Sequence, residues 1–236
     1  MLDRNHVLGV VLAHSAAAKV VASHLPLWLR TCSKVVVFTP NEQGFHLPGA
    51  DVFCAVDDGG AYSPHTSVRC RHALTYSLGL GYPYTMLLEY DAVTWGPIPD
   101  HAIPPHGGVA ACRWPNEPVS PVPGKVFASP FYLHFPQLYT RLALELVVSA
   151  MEDMPADAEH GYTDRFVGLA VHRAGVPVKD WRAMGLCYSW ENISRHEHRV
   201  VECIHAVANG ALFSHGIKDE ASLRRILEVA PWGRQP

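Results

Sequence analysis

The chain contains little charge. Only 17% of its 236 residues are charged, and 19 lysines and arginines stand against 22 aspartates and glutamates. Long solvated runs and extensive disorder are therefore not expected. The formal net charge of −3 gives no basic surface for nucleic acid, and no run of like charges indicates a membrane-binding patch. No stretch is long and apolar enough to span a membrane.

Several motifs that carry chemistry are also missing. The chain has no GxxxxGK[ST] phosphate-binding loop and no HExxH sequence, which argues against a P-loop phosphotransferase and a zinc protease. Its cysteines form no CxxC pair, so their spacing does not favour a zinc site. Because free cysteines are usually buried, we expect reduced thiols in a cytoplasmic protein. The six are Cys32, Cys54, Cys70, Cys112, Cys187 and Cys203.

Apolar residues make up 48% of the chain, which is ample for one large core. Helical patterns cover residues 16–30, with an interruption expected near Pro26, and residues 63–80, which open on Ser63-Pro64 as a typical helix start. Strands alternating with helices indicate an α/β fold with a doubly wound, mostly parallel sheet flanked by helices. In this part of the chain, apolar runs predict strands at residues 7–13, 34–39, 51–56 and 86–88.

The pattern becomes irregular after about residue 95, where prolines and glycines are frequent. We find no clear linker or internal repeat, so residues 1–236 are expected to form a single domain with one half at about 1–95 and another at about 96–236. In the second half the sequence predicts strands at 109–114, 127–135, 176–181 and 211–213, and helices at 138–151, 162–174 and 223–229.

Glu89-Tyr90-Asp91 is the most informative motif, because it ends the buried strand at 86–88. Residues i and i+2 of a strand point to the same side, so both carboxylates are expected to face one cleft. Open α/β sheets bind ligands at this kind of strand end. Two adjacent carboxylates repel each other unless a cation lies between them, and oxygen ligands suit Mg²⁺ or Mn²⁺. The alternative for Asp91 is a structural role in the following turn.

Four further positions could contact a nucleotide. His14 follows the first strand at the ligand-binding edge of such a sheet. Asp57 ends the third strand, where a plain turn is the alternative. Arg71, like Arg69, offers a guanidinium suited to a diphosphate, although an exposed helix position is the alternative for both.

The order and spacing of these segments resemble a glycosyltransferase of the GT-A type. In that fold an arginine-containing helix precedes a hydrophobic strand that ends in an Asp-x-Asp-like motif. Here Arg71-His72-Ala73-Leu74 leads through Gly81-Tyr82 to Leu87-Leu88-Glu89-Tyr90-Asp91. The resemblance covers about residues 6–219. The first acid is Glu89 rather than Asp, so its longer side chain would contact either the metal or the ribose. Structural pairing with an arginine is the alternative for Glu89.

Two later segments are also similar to that fold. Tyr162–Leu169 resembles the helix start whose acid faces the acceptor, and the exit Ala174-Gly175-Val176-Pro177 follows it. Phe213-Ser214-His215-Gly216-Ile217-Lys218 resembles the C-terminal segment that supplies a histidine as third metal ligand. The resemblance makes residues 1–95 the nucleotide-binding half and residues 96–236 the acceptor-side half.

The resemblance implies transfer of a sugar from a nucleoside-diphosphate donor to a carbohydrate or other hydroxyl acceptor, with Mn²⁺ or Mg²⁺ as cofactor. Glu89, Asp91 and His215 would hold the metal, and Lys218 would meet a phosphate. If the enzyme inverts, Asp164 would be the general base; the alternative is an acid placed at the helix N-terminus because the helix dipole favours it. For a retaining enzyme, no sequence feature identifies the mechanism. Asp157 and Glu159 are the next candidates for the base.

Two other functions remain open: a nucleotide-sugar-binding protein without transfer activity, and a metal-dependent hydrolase or phosphotransferase on an α/β sheet. His196-Glu197-His198 looks metal-binding, but its spacing suits a strand, and Arg195 and Arg199 beside it oppose a cation. Four aromatic residues could line an acceptor groove or equally belong to the core. They are Trp95, Trp114, Tyr132 and Trp190.

Overall fold

The structure is a computed structural model that describes residues 1–40, 45–54, 66–115, 131–154, 163–190 and 192–229. Several predicted features lie outside these ranges: the helix start Ser63-Pro64, Tyr162, and the ends of the strands predicted at 51–56 and 127–135. Three candidate site residues also lie outside them: Asp57, Asp157 and Glu159.

The first half alternates strands and helices as the sequence predicts. The predicted interruption of the first helix near Pro26 is wrong, because α1 runs through it. A proline removes only one backbone donor, and burial of the flanking Leu25, Leu27 and Trp28 holds this helix in place. The elements are β1 (Val7–Leu12), α1 (Ala18–Thr31), β2 (Lys34–Thr39), β3 (Ala50–Cys54), α2 (Thr66–Gly79) and β4 (Tyr84–Glu89).

The rest of the described chain contains three elements that the sequence reasoning missed, β5, β9 and α5. Residues 138–140, predicted as helix, belong instead to the preceding strand. Thr140 caps α3, since its hydroxyl accepts from the Ala143 N–H at 3.2 Å. The elements are β5 (Ala92–Thr94), β6 (Val109–Pro115), β7 (Phe131–Thr140), α3 (Arg141–Glu152), α4 (Thr163–Arg173), β8 (Val178–Asp180), β9 (Cys187–Ser189), α5 (Glu197–Ala208), β10 (Phe213–His215) and α6 (Glu220–Val229).

In the described part of the chain, seven strands form the main sheet, in the order β3-β2-β1-β4-β7-β6-β8. All neighbouring pairs are parallel except those that β7 makes with β4 and β6. The α/β class is therefore confirmed, with a mixed sheet. Because β1 and β4 are parallel neighbours, with Leu12 opposite Glu89, the ends of both strands meet at one edge. No helix in the described ranges has the length and apolar character needed to cross a membrane.

A small second sheet lies beyond that edge. β10 pairs antiparallel with β5 and parallel with β9, so that His215 lies opposite both Ala92 and Ser189. A second apolar cluster, separate from the main core, packs α5 and α6 onto this sheet; its members include Val93, Trp95 and Val200. The main core takes residues from Val7 to Phe213. The division into two halves near residue 95 stays a prediction.

Gly216 is a backbone position that only glycine can occupy. Its φ is +101°, and a Cβ added there would lie 2.1 Å from the carbonyl oxygen of Trp190. The Trp190 carbonyl therefore packs directly against the Gly216 Cα and leaves no room for a side chain. The N–H groups of Gly216 and Ile217 both donate to the Asp91 carbonyl, at 3.2 and 3.1 Å. This turn ties the residue after β10 to the end of β4.

Candidate functional site

Three potential metal ligands converge where β4, β5 and β10 meet. Glu89 ends β4, Asp91 precedes β5, and His215 ends β10. His215 Nε2 lies 3.1 Å from Glu89 Oε2 and 3.3 Å from Asp91 Oδ1. One ligand atom from each residue lies within 4.8 Å of the others, and no other such group of three occurs in the described part of the chain. The structure therefore brings together the three residues that the sequence predicted.

The donor set fits a divalent cation. His215 Nε2 carries at most one hydrogen and can donate it to only one carboxylate. In the structure this nitrogen is hydrogen-bonded to Glu89. Asp91 is 1% exposed, and its Oδ1 has no hydrogen-bond partner among the described residues. A buried carboxylate oxygen without a donor is costly. Two carboxylates and an imidazole around one point would satisfy that oxygen by holding a metal such as Mn²⁺.

Without a cation, protonated His215 and the Lys218 ammonium balance the negative charges of Glu89 and Asp91. Burial lowers the pKa of His215, but the charges of Asp91 and Glu89 outweigh it and raise the pKa to about 10. Burial raises the pKa of Asp91, yet the charge of His215 and then Lys218 bring it below its usual value. The Lys218 ammonium lies 3.5 Å from Asp91 Oδ2. Because a metal needs the lone pair of neutral His215, binding releases a proton and becomes tighter as pH rises.

A second layer of polar groups lies at the end of β1. The His14 ring packs edge-on against Tyr90, with ring centres 4.5 Å apart. Burial, then the charge of Arg69, lowers the pKa of His14. Arg69 is 6% exposed and donates to the Ala13 carbonyl at 2.9 Å. His14 and Arg69 therefore lie at the edge where the sequence predicted nucleotide contacts.

Arg71 points in a different direction from Arg69. Residues two apart on a helix are about 200° around its axis from each other. The Arg71 guanidinium donates to the Met154 carbonyl, after α3, at 3.0 Å. Arg69 therefore replaces Arg71 as the better candidate for a phosphate contact.

Asp164 lies in the first turn of α4 and faces an imidazole. Its Oδ2 is 3.5 Å from His134 Nε2, and its Oδ1 accepts from the Arg165 N–H at 3.0 Å. Burial, followed by the negative charge of Glu89, raises the pKa of Asp164 to about 6. A carboxylate with this pKa is ionised at neutral pH and accepts a proton more readily than an ordinary aspartate.

His134 is a functional candidate that sequence reasoning missed. It lies on β7, and burial, together with the charge of His215, lowers its pKa to about 3. It is therefore a neutral imidazole near neutral pH. A signal was available, since Tyr132 and His134 alternate with apolar residues along one predicted strand. The pairing with Asp164 depends on how α4 packs against β7, which the sequence does not show.

The four aromatic candidates separate into two environments. Trp95 belongs to the second core, where its Nε1 donates to the Ser214 hydroxyl at 2.8 Å, so the groove interpretation is wrong for Trp95. Trp114 and Tyr132 flank His134, with ring centres 5.5 and 5.1 Å from it. Trp190 meets Trp114 edge-on at 6.2 Å and is 38% exposed. Trp114 and Tyr132 therefore lie beside the imidazole that faces the candidate base, and Trp190 adjoins them through Trp114.

The segment His196–His198 is helical at its end, not a strand as its spacing suggested. His196 precedes α5, and Glu197 begins it. Both Glu197 oxygens accept from the Arg225 guanidinium, at 2.7 and 2.8 Å. Glu197 therefore balances Arg225, and the interpretation of His196 and His198 stays a prediction.

His215→Ala should weaken metal binding far more than the same change at His196 or His198. Loss of a direct ligand should raise the Mn²⁺ dissociation constant at least as much as loss of a supporting residue does, which is about 10- to 100-fold. Calorimetric Mn²⁺ titrations of the three variants measure this. Equal effects, or an effect confined to positions 196 and 198, would show that the wrong histidine was assigned.

No protein-family model matches the chain, and no curated protein matches it significantly in sequence.

Proposed function

We propose that the protein is a metal-dependent glycosyltransferase with a GT-A-like, doubly wound fold. It would move a sugar from a nucleoside-diphosphate donor to an acceptor hydroxyl. The observation that carries the proposal is the buried group of Glu89, Asp91 and His215, where one carboxylate oxygen lacks a donor. Asp164, outside this group, is the only one of the predicted base candidates that the structure describes, and its pKa is raised to about 6.

The donor would lie at the ends of β1 and β4. In open α/β sheets, ligands bind at the carboxyl ends of neighbouring parallel strands. His14 and Arg69 lie at the end of β1 and on the facing helix, and Lys218 reaches Asp91 from the C-terminal segment. Asp57 keeps its predicted role at the base or ribose, outside the described residues.

Each side chain has a task that its chemistry supports. The cation held by Glu89, Asp91 and His215 would stabilise negative charge on the leaving diphosphate. Lys218 would add a further positive charge at the same phosphates. Asp164 would orient the acceptor hydroxyl and take its proton, within hydrogen-bond reach. Neutral His134, whose Nε2 lies 3.5 Å from Asp164 Oδ2, would help to orient that carboxylate.

The acceptor would lie against the aromatic rings beside Asp164. Arg182 and Arg199 cover one face of Trp114 and Trp190, at 3.6 and 3.5 Å from the ring centres. The remaining apolar faces of these rings and of Tyr132 would match the C–H surfaces of a sugar. The Trp114 Nε1 has no hydrogen-bond partner among the residues described. That buried N–H could donate to an acceptor hydroxyl.

Nucleotide binding that depends on metal is the first test. Thermal unfolding with UDP, GDP, TDP and CMP, each with and without Mn²⁺, should show one nucleotide that stabilises the protein only with the metal. At 100 times the dissociation constant, a ligand adds about 2.7 kcal/mol, which raises Tm by about 5–10 °C for a chain of this size.

A donor panel with acceptor analogues then separates transfer from binding alone. Stabilisation without turnover of any donor would indicate a binding protein, and release of free sugar without an acceptor would indicate a hydrolase. If no nucleotide changes Tm under any condition, the transferase proposal fails.

A further inference from the structure

A line of polar side chains connects the metal group with the candidate base. The Nδ1 atom of His215 lies 3.4 Å from the Ser189 hydroxyl. That hydroxyl is also hydrogen-bonded to His134 Nδ1, and His134 Nε2 lies 3.5 Å from Asp164 Oδ2. The line runs through four side chains without a gap larger than 3.5 Å.

The line is built from four different elements. His215 and Ser189 are register partners on β10 and β9, His134 lies on β7, and Asp164 begins α4. Ser189 is 5% exposed, and the His134 side chain is 14% exposed. Water competes little for the polar contacts of these side chains, so their donors and acceptors are expected to be satisfied within the line.

The chemistry of the ends gives the line one direction. To offer the Nε2 lone pair to a cation, neutral His215 must carry its hydrogen on Nδ1, where it donates to the Ser189 oxygen. The Ser189 hydroxyl hydrogen is then left for His134 Nδ1, which accepts it. The hydrogen of neutral His134 therefore lies on Nε2 and points at Asp164. All the donors and acceptors are satisfied in this arrangement, and reversing it would place a hydrogen where the cation belongs.

We propose that Ser189 and His134 are positioning residues that fix the metal-binding form of His215 and the orientation of the Asp164 carboxylate together. This inference rests on the proposed function for its two ends. Supporting residues of this kind orient metal ligands and set which ring nitrogen is free. A cation bound at His215 would hold the hydrogen on Nδ1 and thereby favour the same orientation of Asp164.

Ser189→Ala tests the metal end without any substrate. Removing the hydroxyl leaves His215 Nδ1 without its acceptor, so the Mn²⁺ dissociation constant should rise about 10- to 100-fold. Ser214→Ala is the matched control, because Ser214 is equally buried on β10 but bonds to Trp95 instead. Its metal affinity should stay at the wild-type value. Isothermal titration with Mn²⁺ alone measures both.

His134→Ala tests the other end through a pH profile. An N–H donated to the ionised Asp164 lowers its pKa, so removing the donor should move the acidic limb of kcat to higher pH. A packing role alone would lower kcat without moving the limb. Ser189→Thr keeps the hydroxyl and should retain most of the Mn²⁺ affinity. If Ser189→Ala fails to fold, Ser189→Thr tests whether the hydroxyl is what the metal site requires.

The failures of the two proposals differ. If wild-type protein binds no Mn²⁺, the proposed metal site fails and this inference with it. If the wild type binds Mn²⁺ but Ser189→Ala and Ser214→Ala have the same affinity, only the positioning role fails. If the acidic limb of kcat lies at the same pH in His134→Ala as in the wild type, His134 does not position Asp164.

Discussion

Asp91→Asn should remove most of the turnover and weaken Mn²⁺ binding, while the protein still folds. The side chains are nearly the same size, but the amide carries no charge to balance a cation. Among the three ligands, Glu89 would then be the only carboxylate left to balance the charges of the cation and of the nearby Lys218 ammonium. Metal titrations, turnover with Mn²⁺ and thermal unfolding measure the three effects.

The stability of the Asp91→Asn variant should fall, because Asp91 is buried against two cationic groups. Removing one partner of a buried ion pair costs about 3–5 kcal/mol when the other charge stays. His215 can release its proton instead, so the loss should be smaller than that. Asp219→Asn is the control. Asp219 Oδ1 accepts from the Ser222 N–H at the start of α6, and an asparagine oxygen can accept the same hydrogen bond. Wild-type turnover and metal affinity in Asp91→Asn would show that the acidic motif is structural.

Asp164→Asn should lower kcat by about 10²- to 10⁴-fold, which is the usual effect of losing a general base. Nucleotide affinity should change little, because Asp164 lies on the acceptor side of the site. The asparagine keeps a hydrogen-bonding group toward His134 but cannot take a proton usefully. Steady-state kinetics and nucleotide titration separate the chemical step from binding.

A helix-dipole role for Asp164 makes a much smaller prediction. Loss of charge in a first helical turn costs about 0.3–1 kcal/mol of stability and little activity. Glu220→Gln, in the first turn of α6, is the matched control for that effect. A folded Asp164→Asn variant with more than about a tenth of normal kcat would contradict the base assignment. Asp157 and Glu159 would then be tested.

The pH dependence should carry the same signature. A base must be ionised, so kcat should fall as the pH drops through the pKa of Asp164, which burial and Glu89 raise to about 6. A bound cation offsets the charge of Glu89, so in the loaded enzyme this limb should lie somewhat below pH 6. The Asp164→Asn variant should lack this acidic limb and should also lose most of the wild-type kcat.

The sequence predicted the parts of the site that depend on local pattern. Strand periodicity placed Glu89 and Asp91 at a strand end, and the resemblance added His215. The alternation of strands and helices predicted the α/β class, which the structure confirms. These features follow from a period of two in strands and from burial of apolar runs.

The remaining parts depend on packing between distant elements. The sequence did not indicate β9, whose three residues bring Ser189 beside His215, because so short a strand has little periodicity. It could not choose between Arg69 and Arg71 without knowing which face of α2 meets β1. His134 was missed because its partners come from α4 and β9. Tertiary contacts outweigh local pattern at each of these positions.

The turn at Gly216 affects the order in which parts of the chain fold. Glu89 and His215 are 126 residues apart in sequence, so their meeting closes a loop of more than half the chain. Contacts this distant form late in folding, because loop closure must first be offset. Until Gly216 fits beneath Trp190 and the Asp91 carbonyl gains its two N–H donors, the two acids stand without their imidazole. A cation that prefers the completed group would then favour the last docking step, as any ligand of the native state does.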